Sequence, residues 1–219
     1  MIDTWDDLKF WNSGECQKIE EDLDEFDRRL VSYNPKRAQI FRALRLTPFV
    51  ETKVAIIGQD PYPDAKHATG VAFSIPKDCL DYPPTLQNIF HEYSDIHGDL
   101  KYPYPKTGNL DTWADRGVLL WNAYPTCFSG RPGSNHWTEW TYLTREIVEE
   151  LNANGILIVA LGTVALSFCD GVTNLLSYSH PSPLGVKKGF HPFFGSRLFS
   201  TINDKLCGMK EEPIDWKLP

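Results

Sequence analysis

The sequence predicts an α/β fold, with a short central parallel sheet of about four strands and helices on both faces. Two observations carry this. Four short apolar runs recur along the chain: KVAII (53–57), GVLLW (117–121), ILIVA (156–160) and NLLSYS (174–179). The first three are rich in Val, Ile or Leu without alternation, as in strands whose two faces are both shielded from water. Segments with apolar residues at helical spacing lie among the runs, and this alternation builds a doubly wound parallel sheet.

The elements follow in order. Residues 1–27 hold ten acids against Lys9 and Lys18, a balance of −8, and read as a solvated helix face. KVAII then runs into Gly58-Gln59-Asp60. Pro84 to Tyr93 starts with proline and carries Leu86, Ile89, Phe90 and Tyr93 at helical spacing. GVLLW runs into Asn122. Trp137 to Leu151 places Trp140, Leu143, Ile147 and Leu151 on one face. ILIVA runs into Leu161-Gly162-Thr163. NLLSYS, the most polar of the four, runs into His180-Pro181-Ser182-Pro183. Phe194 to Leu206 reads as a closing helix through Leu198, Ile202 and Leu206. No internal repeat or low-complexity linker interrupts the chain, so residues 1–219 read as a single domain.

Composition bounds the function. With 42% hydrophobic residues and seven tryptophans, 219 residues suffice for a substantial core. The net charge of −7 argues against a polyanionic partner until its distribution is considered. Beyond residue 27 the chain has 20 bases against 19 acids, which leaves room for a local basic surface. The five cysteines, at 16, 79, 127, 169 and 207, are scattered and read as reduced thiols of an intracellular protein, cytoplasmic or nuclear. No run approaches a membrane span, and the acidic N-terminus lacks a secretory pattern.

Loops at the carboxyl ends of parallel strands form the ligand crevice of such folds. Asp60, Asn122, the Gly162 turn and His180 should therefore share one edge. Each has a bland reading alone: a cap, a turn, a structural histidine. Tyr62 and Phe73 could be core aromatics, Ser182 a turn residue, Leu184 a core leucine and Lys187-Lys188 a solvated pair. Four such positions on one edge favour a site. There is no dinucleotide or phosphate-loop glycine motif, no clustered His/Cys set for zinc and no nucleophile elbow. What remains is a carboxylate, a histidine, an amide and aromatics. Aromatics stack on a flat heterocycle while an amide reads its edge. A carboxylate beside a sugar stabilises an oxocarbenium-like transition state. Together these describe N-glycosidic hydrolysis of a nucleotide base.

The stretch GQDPYPDAKHATGVAFS (58–74) resembles the first motif of family-1 uracil-DNA glycosylases, GQDPYH followed by Gly-x-x-Phe-Ser. HPSPL (180–184) resembles the family's second motif. PPTLQNIF (83–90) is similar to its proline-rich DNA loop and helix, LLWN (119–122) to the strand ending in the uracil-reading asparagine, and LGT (161–163) to its glycine–serine loop. Residues 34–49 and PIDW (213–216) also fit, so the likeness spans nearly the whole chain.

The resemblance implies a monofunctional glycosylase that releases uracil from DNA and leaves an abasic site, without a cofactor or metal. It implies that Asp60 orients the attacking water and stabilises the cationic sugar, and that neutral His180 donates to uracil O2. Asn122 would pair with N3–H and O4, Tyr62 would exclude thymine's methyl, Phe73 would stack on the base, and the Gln59 backbone would help bind O2. Leu184 would wedge into the duplex. Pro83, Pro84, Thr85, Gly162, Thr163 and Ser182 would grip DNA phosphates. Single- and double-stranded uracil-containing DNA are the implied partners of a monomer, with a proteinaceous inhibitor or replication partner beside them.

Three departures stand out. Pro63 replaces the motif's histidine, Thr69 replaces a second with His67 two residues earlier, and the Leu184 loop (184–197) is about three residues longer than the common pattern. A glycosylase-like DNA-binding or replication scaffold with weakened catalysis is the alternative. Retention of Asp60, Asn122 and His180 together counts against it.

Overall fold

The computed structural model describes residues 2–94, 100, 102–134, 137–189 and 191–219. The strands are β1 (Tyr33–Asn34), β2 (Val54–Gly58), β3 (Val118–Asn122), β4 (Cys127–Phe128), β5 (Leu157–Leu161) and β6 (Leu175–Tyr178). The α-helices are α1 (Gly14–Arg28), α2 (Arg42–Leu46), α3 (Pro84–Tyr93), α4 (Asp111–Ala114), α5 (Thr138–Ala153), α6 (Thr163–Leu166) and α7 (Leu198–Gly208). β3, β2, β5 and β6 form one parallel sheet in that order, and β1 pairs antiparallel with β4.

Every residue of β2, β3 and β5 is buried, so the centre of the sheet meets water on neither face. Their continuous apolar sequences follow from that. β6 is an edge strand whose four residues are all half-buried, which accounts for the more polar NLLSYS. β3, at the other edge, is covered by α2 and α4. β5 is packed by α5, α6 and α7.

α3 occupies the span its sequence predicts, with Pro84 in the first turn, where its missing N–H costs nothing. α1 is capped by Ser13, whose hydroxyl accepts from the Cys16 N–H at 3.2 Å. Only Ile19 and Leu23 of α1 are buried, so its acids form the solvated face expected. Three of them, Glu20, Asp24 and Asp27, gather around Arg37.

The closing helix differs from expectation. It was expected to begin at residue 194, yet α7 begins at Leu198. The N–H groups of Gly195 and Arg197 bind the carboxylate of Glu92 instead of starting a helix, and Arg197 is left-handed at φ 51°. Helical periodicity in the side chains could not reveal a distant acceptor.

Two registers position the site. Gly58 stands abreast of Asn122, and Leu161 abreast of Tyr178. The strand order places β3 and β5 on opposite sides of β2, the switch point where open α/β sheets bind ligands.

Candidate active site

The turn after β2 is braced on several sides. The Gln59 carbonyl accepts from the Tyr124 N–H at 2.9 Å, which ties it to the loop after β3. The Pro63 carbonyl accepts from the Gly130 N–H at 2.8 Å and from Asn34 Nδ2 at 2.7 Å. Asp60 is held between two donors: the Gly133 N–H on one oxygen and Gln59 Nε2, at 3.3 Å, on the other. The carboxylate is therefore oriented before any substrate arrives. Behind it lies the buried thiol of Cys127, pushed up to about 12 by burial and then by the negative charge of Asp60. That thiol stays neutral and inert.

A cavity of about 380 Å³ opens over this turn. Asp60, Tyr62, Phe73, Asn122 and His180 all line it, each from a different position along the chain. Phe73 has φ 66°, a conformation non-glycine residues rarely adopt. The Tyr62 hydroxyl donates to the Phe73 carbonyl at 2.9 Å and so helps hold that turn. Burial raises the Tyr62 hydroxyl well above the ordinary phenol range, so it stays a neutral donor. Gly58 makes the pocket floor possible. A Cβ there would stand 2.7 Å from Phe73 Cζ and 3.0 Å from Asn122 Oδ1.

Asn122 is 8% exposed at the end of β3. Its side-chain amide makes no hydrogen bond among the described residues, so its donor and acceptor are available to a ligand. Its oxygen is placed by packing against the bare Cα of Gly58.

His180 enters from the far side, after β6, with its ring centroid 6.1 Å from that of Phe73. Gly162 permits this approach: at φ 96°, a Cβ on it would lie 3.1 Å from His180 Cβ. Nδ1 of His180 accepts from the Ser182 N–H at 3.1 Å, so the neutral ring carries its proton on Nε2. Burial depresses this histidine from 6.5 to about 4. Between those values an unfolded chain binds a proton here and the folded one does not. His180 therefore lowers stability as pH falls from 6.5 towards 4. We expect imidazole ¹⁵N resonances of His180 to report the Nε2–H tautomer at neutral pH and to titrate near 4. A midpoint near 6.5 would contradict a neutral donor.

The rim residues divide into two groups. Thr85, Ser182 and Leu184 line the main cavity. Gly162 and Thr163 do not. They line an adjoining groove of about 490 Å³ that contains Lys188 and meets the cavity at His180. Pro83 and Pro84 lie outside both linings and lead into Thr85 at the start of α3. Leu184 is 79% exposed, which removes its reading as a core leucine. Lys187 faces a different cavity, beside α3.

The departures have structural answers. Thr69 donates its hydroxyl to the Ser74 carbonyl at 3.2 Å and braces the Phe73 turn. His67 does not line the pocket. Its ring packs edge-on against Tyr62, with centroids 5.8 Å apart at 71°. Pro132, in the cavity wall, and Gly133, whose N–H donates to Asp60, were not foreseen. The only sign of them in the sequence was the Pro-Gly turn in RPGS (131–134).

A family model described as the uracil DNA glycosylase superfamily matches residues 45–207. The uracil-DNA glycosylase of Mycobacterium tuberculosis is 40% identical over 193 residues, 85% of this chain and 82% of the relative. That of Mycobacterium ulcerans is 38% identical over the same shares. The crystal structure of mimivirus uracil-DNA glycosylase superposes with a TM-score of 0.87 at 26% identity, over 98% of this chain and 86% of that one. A variant of that mimivirus protein, in complex with UGI, gives 0.86 at 27% identity over 98% and 87%.

Proposed function

From the premise that this chain belongs to the uracil DNA glycosylase superfamily and hydrolyses the N-glycosidic bond of deoxyuridine in DNA, we propose that the cavity over β2 is the catalytic pocket. The observation that carries this is the convergence of Asp60, Tyr62, Phe73, Asn122 and His180 on that one cavity. A scaffold that only bound DNA would not need an oriented carboxylate and a neutral imidazole in one cavity.

The steps follow from the geometry. The uridine leaves the stack and its base slides against Phe73, with Asn122 at its edge. The C1′–N1 bond breaks with its electron pair going to uracil, and negative charge gathers on O2. Nε2–H of His180 donates to that oxygen. Asp60 stabilises the cationic sugar and orients a water, which adds to C1′ and gives up its proton through the carboxylate. Preoriented charges of this kind cost no reorganisation at the moment of reaction.

Leu184 acts at the mouth. Unstacking a base costs a few kcal/mol. Burying an exposed leucine recovers on the order of 1.5–3 kcal/mol, so a wedge offsets a useful share of that cost. Thr85, Ser182, Gly162 and Thr163 supply hydroxyls and backbone N–H groups to phosphates on either side. Both single and double strands serve as substrates in this reading, and the monomer suffices because one chain lines the whole pocket. Five free thiols support an intracellular site of action. The mimivirus complex with UGI supports a proteinaceous inhibitor as a partner of this chain.

The test is base release from matched oligonucleotides carrying deoxyuridine or thymidine. The wild type should release uracil alone. Tyr62→Ala should open room for the C5 methyl and permit slow thymine release while uracil release persists. Thymine that stays wholly refractory in that variant would assign its exclusion to another residue.

A further inference from the structure

Two side chains one turn apart on α3 hold both ends of the Leu184 loop. Three residues ahead of Leu184, Asn88 Nδ2 donates to the Pro181 carbonyl at 2.8 Å. At its end, Glu92 accepts from the N–H groups of Gly195 and Arg197, both at 2.8 Å, and from the Ser196 hydroxyl at 3.3 Å. Residues four apart lie above one another on a helix face, so one face of α3 makes both attachments. Glu92 is 2% exposed. A carboxylate buried this deeply requires such donors, and the donors are in turn fixed by it.

Val186 and Phe193 of the loop pack into the core, and a groove of about 450 Å³ lined by Asn88, Glu92, Lys187 and Phe194 lies where the loop meets α3. The hydrogen bonds add directional attachments to that packing. The same helix begins at Pro84 and presents Thr85 to the catalytic cavity.

We propose that Asn88 and Glu92 are positioning residues that fix the Leu184 wedge relative to the Pro83–Thr85 loop. Strand grip and wedge then meet duplex DNA as one rigid body. A loop lengthened by about three residues has more freedom to lose, and attachment at both ends supplies the constraint. The inference rests on the reading of Leu184 as a wedge.

Asn88→Ala, Glu92→Gln and Leu184→Ala are compared in single-turnover uracil release from matched single and double strands, with thermal melts alongside. Asn88→Ala should lower the ratio of duplex to single-strand rate by about fivefold, the worth of one net hydrogen bond. It should lower it no further in a Leu184→Ala background. Glu92→Gln, which keeps one acceptor, should lower the ratio less than Leu184→Ala. If Leu184→Ala lowers the ratio and neither α3 variant does, the proposal is overturned and the wedge stands. If Leu184→Ala leaves the ratio unchanged, the wedge reading fails and this inference fails with it. Additive losses in the double variant would also overturn it. Should Glu92→Gln not fold, Asn88→Ala decides alone.

Discussion

Asp60→Asn should leave a folded protein that binds deoxyuridine DNA and has lost nearly all turnover, on the order of 10²–10³-fold or more. The substitution is close to isosteric. It keeps one oxygen for either the Gly133 N–H or the Gln59 amide, but it turns an NH₂ towards the other donor. That mismatch costs about 1 kcal/mol of stability, too little to unfold a core containing four fully buried tryptophans. The loss in rate comes from charge. An amide cannot balance the developing cation on the sugar, and it is a poor acceptor for the water's proton. Rapid-quench rates, anisotropy titration and a melting curve separate the three quantities. Near wild-type rates in the variant would falsify the role given to Asp60.

Asn122→Asp should exchange one base for another. Uracil presents an N3–H donor and an O4 acceptor, whereas cytosine presents an N3 acceptor and an N4 amino donor. The Asn122 amide meets both demands of uracil. A carboxylate cannot donate to O4, and each unpaired buried polar group costs roughly 1–3 kcal/mol. The aspartate accepts from the cytosine amino group and, when protonated, donates to N3. The site favours this exchange. Asn122 is nearly buried, and no described neighbour competes for its amide. Uracil release should collapse and cytosine release become measurable on single strands, which remove base pairing as a variable. Intact uracil release with no cytosine release would make Asn122 a turn residue.

The sequence made the scaffold legible because burial on both sides leaves a simple trace. KVAII, GVLLW and ILIVA each lie within one residue of an observed strand, since nothing polar could stand there. The positions after those strands were legible for the same reason: parallel strands put their carboxyl ends on one edge. The contacts that make the edge work were not. The Gly133 bond to Asp60 joins residues 73 apart, and the Glu92 bonds to the Leu184 loop join residues more than 100 apart. No periodicity encodes such distances. Glu92 left no trace in the periodicity, yet its bonds to Gly195 and Arg197 accompany an α7 that starts four residues later than expected. Pro63 and Thr69 were visible as departures from a motif, but the sequence did not show that the Pro63 carbonyl accepts from Gly130 and Asn34 or that the Thr69 hydroxyl braces the Phe73 turn.

Free uracil released from a single-stranded deoxyuridine oligonucleotide, with thymidine and deoxycytidine strands alongside and with EDTA present or absent, tests the central claim most directly. Asp60 and His180 supply the charge and the hydrogen bond from this chain's own side chains. Uracil alone should therefore appear, at the same rate in both arms, and Asp60→Asn should abolish nearly all of it. No uracil from the wild type, or uracil lost in EDTA and restored by a divalent ion, would contradict the account.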